Sequence, residues 1–384
     1  MDAKCERDFP LHIPTSPQIH LVAVATGARD AAARHPGGHG SIAIATDANG
    51  QKPFVLGDLD RTKDFIHVFD DVSLTVVLRE RDTIADFVTY LRKRAAFLRS
   101  GPVIEAQSEL DLLAHYLKGM SGSEHEFVIP SNGSPPTHVF VDGDWDGFTT
   151  SGPYERKKLA DAESYVWDRL IEDVAGHADR GTLVVGQEHG LPGNEEVLRY
   201  LAAEDRFSRR LLANALLGIR ELGARNSENV SVRTMRSPRF GERAYVFIVV
   251  RREDPSKEEA YRQFRQKMLR AHAEITKLRF EDLVVIIGIS VSPANDPDGS
   301  VDLAIRTYKS WSDADREAAE RLREQLGWVR DPSSLEKHSH HYEFPASTTN
   351  AGSRRPVQSN EKERKAKLKQ KRKAQRVARR QNHR

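Results

Sequence analysis

Residues 229–327 alternate two apolar patterns in a fixed order, and that order limits the folds open to this chain. The runs "VSVRTM" and "AYVFIVV" have strand character and are joined by the turn-rich "RSPRFGER", a hairpin signature. A helical stretch over 256–277 follows, then two more strands, "LVVIIGISV" and "VDLAIRTY", joined by "SPANDPDGS". A second helix over 313–326 is capped by Ser312 and stopped by Gly327. The order ββα-ββα predicts an α+β unit. Its halves share an order of elements rather than residues, so a duplicated unit is an expectation of architecture only.

Upstream, the pattern is less regular. "IHLVAVAT" (19–26), "SIAIAT" (41–46), "PFVLG" (53–57) and "FIHVF" (65–69) are short strand-like runs bounded by Gly, Asp and Asn. A short helix closed by Pro36 is expected between the first two. From Asp71 the period becomes helical. Ile84, Phe87, Val88, Leu91, Ala95 and Leu98 form one apolar face, with Asp82 or Thr83 as cap and Gly101-Pro102 as stop. A further helix points Leu110, Leu113, Ala114 and Leu117 inward and ends at Gly119. A long helix is predicted to carry Leu159, Ala162, Val166, Leu170 and Val174 on one stripe, widened by Trp167 and Ile171. Two more follow at 194–204 and 206–222, the second closed by Gly223.

The predicted fold class is therefore α+β, in four parts. These are a mixed α/β N-terminal region (1–130), a strand-loop and helical middle (131–225), the ββα-ββα unit (226–330), and a disordered linker with a basic tail (331–384).

Three constellations invite chemistry. In "VDGDWDGFT", Asp142, Asp144, Asp146 and Gly147 open a calcium loop. Such a loop needs a bidentate Glu at its twelfth position. That place holds Pro153, Glu155 comes two residues late, and "THVFV" enters as a strand rather than a helix. The favoured reading is an acidic turn leaving a strand, with Trp145 or Phe148 folded onto the core.

Metal-dependent phosphodiester cleavage gathers carboxylates around one or two divalent ions and adds a Lys to polarise the phosphate. Asp58, Asp60 and Lys63 in "GDLDRTKD", with Asp70 after the next strand, form the tentative constellation for a nuclease-like enzyme. A divalent metal is expected only under that reading; otherwise no cofactor is. The competing reading makes Asp58 and Asp60 turn residues and Asp71 a helix cap. A strand bearing Asp/Glu-x-Lys is wanted downstream, and Glu363 to Lys365 meets that spacing only inside the basic tail.

His338, His340 and His341 in "EKHSHHYEF" are the third set, in low-complexity sequence without the carboxylate spacing of a helical metal site. No nucleophile elbow, phosphate loop, His-Glu-x-x-His or dinucleotide fingerprint occurs. The single cysteine, Cys5, rules out an intrachain disulfide and a multi-cysteine zinc site.

The net charge of +3 conceals two opposite parts. Residues 361–384 hold 12 Lys/Arg against Glu361 and Glu363, a net of +10, which leaves −7 for residues 1–360. Such a tail attracts polyanions with an affinity that falls steeply with salt. It has no aromatic residue to stack on bases, so DNA or RNA binding is expected to be independent of sequence. The cations expected to carry it are Lys362, Arg364, Lys365, Lys367, Lys369, Lys371, Arg372, Lys373, Arg376, Arg379 and Arg380. Leu368 and Val377 are the tail's only large apolar residues, too few for an interfacial membrane helix. No run approaches the ~18 apolar residues of a membrane span, and the first residues lack a signal-peptide pattern. No membrane partner and a cytoplasmic location are expected.

The stretch "GDLDRTKDFIHVFDDVSLTVVLRERDTIADFVTYLRKRAAFLRSG", with "ADAESYVWDRLIEDV" and "ITKLRFEDLVVIIGIS", resembles a group of bacterial proteins of similar length without assigned activity. The likeness covers roughly residues 53–327. It implies a bacterial cytoplasmic protein and brings no site residues with it. A non-enzymatic interaction module is the third functional expectation.

Overall fold

A computed structural model describes residues 18–25, 44–46, 53–55, 62–100, 103–106, 108–121, 124–129, 138–141, 144–179, 191–226, 229–252, 254, 256–296, 300–326 and 343–344. Strand β1 (Leu21–Ala25) lies parallel to β4 (Ile66–Asp70), with Leu21 opposite Ile66, and β2 (Ile44–Thr46) pairs antiparallel with β3 (Pro53–Val55). Helix α1 (Asp71–Glu80) begins one residue earlier than expected. Asp70, not Asp71, is its cap: Asp70 is extended, and its Oδ1 accepts the Ser73 N–H at 2.6 Å. Asp71 already has helical backbone, so it sits in the first turn beside the positive end of the helix.

Helix α2 (Ile84–Leu98) is capped by Thr83, whose Oγ1 accepts the Asp86 N–H at 3.0 Å. Its buried face differs from the predicted apolar stripe. Tyr90, Leu91, Arg94, Phe97 and Leu98 point inward, while Ile84 is 71% exposed. Arg94 lies inside the domain paired with the Glu109 carboxylate, while Leu91 and Leu98 of the predicted stripe are buried and Phe87 and Ala95 pack against the same core. Helix α3 (Glu109–Lys118) runs from its Ser108 cap to Gly119, with β5 (Val103–Ala106) before it and the short β6 (Met120–Ser121) and β7 (Glu124–His125) after it. Strand β8 (His138–Val141) lies parallel to β5.

The acidic stretch after β8 leads into α4 (Trp145–Thr149). Asp144 is its cap, in left-handed backbone (φ 47°), and accepts the Gly147 N–H at 3.0 Å. Phe148 is buried in the N-terminal core, as the acidic-turn reading expects. Helix α5 (Gly152–Asp161) follows, then a 3-10 turn over Ala162–Ser164 and α6 (Tyr165–Asp179). The single long helix expected here is thus broken. The Ser164 hydroxyl bonds back to the Asp161 carbonyl, and Leu159, expected on the inner stripe, is 75% exposed. Trp167, Leu170 and Val174 do face the core.

Helices α7 (Leu191–Ala202) and α8 (Arg206–Arg225) complete the middle of the chain. Gly223 does not stop α8 but lies inside it. A Cβ there would fall 2.3 Å from Val249 Cγ1, so the missing side chain is what lets the helix approach the sheet.

That sheet is built from β9 (Val230–Arg236), β10 (Arg243–Val250), β11 (Val285–Val291) and β12 (Val301–Thr307), in the order β12-β11-β10-β9. Helix α9 (Glu258–Arg279) carries the chain from β10 to the parallel β11, and α10 (Asp313–Gln325) closes the unit behind a Ser312–Asp315 capping box. Every residue of β10 and β11 is buried, which explains their unbroken apolar runs. Tyr245, Phe247, Val249, Ile287 and Ile289 face α6–α8, while Ala244, Val246, Ile248 and Ile286 face α9. The outer strands carry charge: Arg236 on β9 pairs with Asp282, and Arg306 on β12 with Glu274.

The protein is α+β, with helices and sheets mixed. The segment 131–225 divides between two cores. Phe148 and Tyr154 join the N-terminal one, and α6–α8 lie on the C-terminal sheet. Arg206 ties the halves, its backbone N–H on Asp86 and its Nε on Asp82, each at 2.8 Å. Among the described residues no helix is long and apolar enough to cross a membrane.

Candidate functional site

Four cationic or imidazole side chains from four distant elements converge on Glu343, three on its carboxylate and one on its backbone carbonyl. Arg81 caps the C-terminus of α1, and its N–H donates to the Val77 carbonyl. Held there, its guanidinium turns inward and gives one N–H to Glu343 Oε1 at 2.8 Å. His125, at the end of β7, places Nε2 2.5 Å from Glu343 Oε2. An ionised carboxylate can only accept, so Nε2 carries the proton. Lys157 on α5 reaches Glu343 Oε1 at 3.3 Å while donating to Asp161 Oδ2, one turn on, at 2.7 Å. Arg210 on α8 gives two N–H groups to the Glu343 backbone carbonyl, at 3.1 and 3.2 Å.

The next residue takes part as well. The Phe344 ring meets His125 edge-on at 5.7 Å between centroids and Phe148 at 5.9 Å. The site therefore reads a carboxylate, a peptide carbonyl and the following ring.

The electrostatics follow from burial and neighbours. Burial alone would raise the Glu343 carboxyl, but His125, Arg81 and Lys157 outweigh it and hold the group well below the ordinary carboxylate range. Lys157 shows the complement: burial works against its charge, yet Glu343 and Asp161 raise it above the usual lysine value. Each cation also has a second acid. Arg81 has Asp86 at 3.5 Å, and Lys157 and Arg210 share Asp161 at 2.7 and 3.2 Å. Three cations thus meet two resident carboxylates, and Glu343 supplies the third. Beside them Glu80 is buried, accepting from the Tyr154 hydroxyl at 2.8 Å and pairing with Lys158 at 3.0 Å.

The residues singled out by sequence fall elsewhere. Asp58 and Asp60 lie outside the described residues. Lys63 precedes β4 and its carbonyl accepts from Arg99, whereas Asp70 ends that strand and caps α1. The length of β4, on the order of 13 Å for its five residues, stands between them. Asp142, the three histidines His338, His340 and His341, and every tail cation also lie outside the described residues. Among the described residues no group of three or more His, Cys, Asp or Glu is placed to hold a metal ion.

Sequence reasoning missed the Glu343 site altogether. Its signals were faint: an i,i+4 Lys157–Asp161 pair and one phenylalanine, Phe344, in a mostly polar linker. A second Glu-x-Lys spacing, Glu155 to Lys157, lies on α5. Two helical residues at that spacing point roughly 200° apart, so Lys157 is buried and Glu155 exposed. A separate cleft of about 570 Å³ opens between α9 and α10, lined among others by Arg262, Lys267, Arg270 and Glu274, and shares no residue with the Glu343 site.

Compared with known proteins, the chain matches no family model, no curated protein and no solved structure.

Proposed function

We propose that the folded body serves as a carrier for the basic C-terminal run, through which a bacterial cytoplasmic protein associates with nucleic acid without sequence preference. The observation that carries this reading is the segregation of +10 in residues 361–384 from −7 in the remainder. An acidic body repels a polyanion and confines contact to the tail. The Glu343 anchorage supports it further. It holds the chain to the body 18 residues before the basic run begins at Glu361, so the tail leaves from a defined point.

The test compares the full chain with one in which the tail's Lys and Arg are replaced by Gln. Retention on DNA or RNA at low salt should be lost in the variant, and the full chain should show a steep fall of affinity with salt. Equal retention by both proteins defeats the proposal. A second reading, an interaction module, is favoured by the Glu343 site, where buried side chains from distant elements hold a peptide segment.

A further inference from the structure

Glu343 and Phe344 sit in their pocket as a bound peptide sits in a receptor. Their partners lie far off in sequence, at separations of 262 residues for Arg81, 218 for His125 and 133 for Arg210. We propose that the pocket formed by Arg81, His125, Lys157 and Arg210, with Phe148 as its apolar wall, is a binding site for an acidic–aromatic segment of a partner polypeptide. Glu343–Phe344 is then its intramolecular occupant. The inference deepens the interaction-module reading and does not depend on the tail's contact with nucleic acid.

Three features carry it. The first is that each cation has a resident acid besides Glu343. Arg81 keeps Asp86, while Lys157 and Arg210 keep Asp161, so departure of Glu343 strands no cation without an acid. The second is charge complementarity. Three cations against two resident carboxylates leave one positive charge, which matches a single carboxylate.

The third is the contact at the backbone. Arg210 grips the Glu343 carbonyl, a group that any peptide presents, and the adjoining slot between His125 and Phe148 takes the next ring. A phosphate or a small carboxylic acid would fill only the first of these three subsites. A polypeptide bearing Glu or Asp followed by an aromatic residue fills all of them. Because the occupant is tethered, it competes at an effective concentration of about millimolar, so a partner must bind strongly or be abundant to displace it.

The experiment uses full-length protein and a fluorescent peptide of residues 338–348, read by anisotropy. The Glu343→Ala/Phe344→Ala double variant should bind this peptide at least tenfold more tightly than the wild type, whose own segment competes. A peptide carrying Gln in place of Glu343 should bind at least tenfold more weakly, as should the intact peptide to a double variant that also carries Lys157→Gln. A folded double variant that ignores the peptide, or binds the Gln form equally, overturns the proposal. So does a double variant that cannot fold, since the segment would then be part of the core.

An independent arm needs no substitution in the pocket. A protease site inserted within 327–342 is cut, and excess peptide should release the fragment containing Glu343 on gel filtration. Retention of that fragment under excess peptide overturns the proposal. Exchange seen only through dimers that trade their own segments overturns it in favour of a second copy of this chain.

Discussion

The guanidinium of Arg94 on α2 grips the carboxylate of Glu109 on α3 through two hydrogen bonds of 2.8 Å each, and both side chains are buried. Glu109 Oε1 also accepts from the Tyr90 hydroxyl at 2.9 Å, so the pair is embedded in a larger set. Removing one partner leaves the other charged and buried, which typically costs about 3–5 kcal/mol. Glu109→Gln is therefore expected to lower stability to urea by roughly that amount. Arg94→Met combined with Glu109→Leu should cost less than the single change. Urea titration of the wild type, Glu109→Gln and the double variant checks this, and a double variant less stable than Glu109→Gln contradicts it.

Glu343 sets the response to acid at the bottom of the pH range. Its carboxyl is depressed in the folded protein relative to its ordinary value of 4.5. The unfolded chain therefore binds the proton more readily, and the stability from this group is present above about pH 4.5 and lost as pH falls below it. The wild type should lose thermal stability more steeply than Glu343→Gln between pH 4.5 and 3. Parallel curves would show that the carboxylate is not held by His125, Arg81 and Lys157.

His67 acts in a higher window. Burial, with Arg94 and His20 beside it, lowers its imidazole from 6.5 to about 3. Its Nδ1 lies 3.3 Å from an Arg94 N–H, which fits a neutral ring accepting there. The folded state resists a proton that the unfolded state takes up, so this group favours folding above pH 6.5 and less so as pH falls toward 3. NMR of the His67 ring should show no titration between pH 7.5 and 4.5. A midpoint near 6.5 would refute the assignment.

Gly223→Ala sets two effects against each other. Alanine inside a helix is favoured over glycine by roughly 1 kcal/mol. The added methyl, however, lands 2.3 Å from Val249 Cγ1 in a packed core, and such overpacking costs about 1–3 kcal/mol. The clash should win, leaving the variant less stable. Val249→Ala added to it should recover part of the loss, which calorimetry on the single and double variants measures.

Local rules made much of this fold legible. The ββα-ββα order and the Ser312 and Thr83 caps follow from spacing and side-chain chemistry within a few residues. The misses share a cause. Arg94 on α2 is buried where Glu109, 15 residues on, receives it, and Gly223 inside α8 packs against Val249 of β10. The Glu343 site assembles elements up to 262 residues apart, and no local pattern encodes that convergence. A hydrophobic stripe records only apolar burial, so buried Arg, Lys and His are silent in it.

The parallel pairing of β10 with β11 also has a consequence for biosynthesis. β10 emerges from the ribosome as a continuous apolar strand, but its central partner follows only after α9, roughly 35 residues later. At ordinary elongation rates this leaves "AYVFIVV" without that neighbour for about 2–7 s. The segment has the composition of an aggregation-prone strand, and Arg243 before it with Arg251 and Arg252 after it are the charges that guard such runs. The nascent chain is thus most vulnerable in the interval before β11 emerges, with the hairpin partner β9 already made and these three arginines flanking the exposed strand.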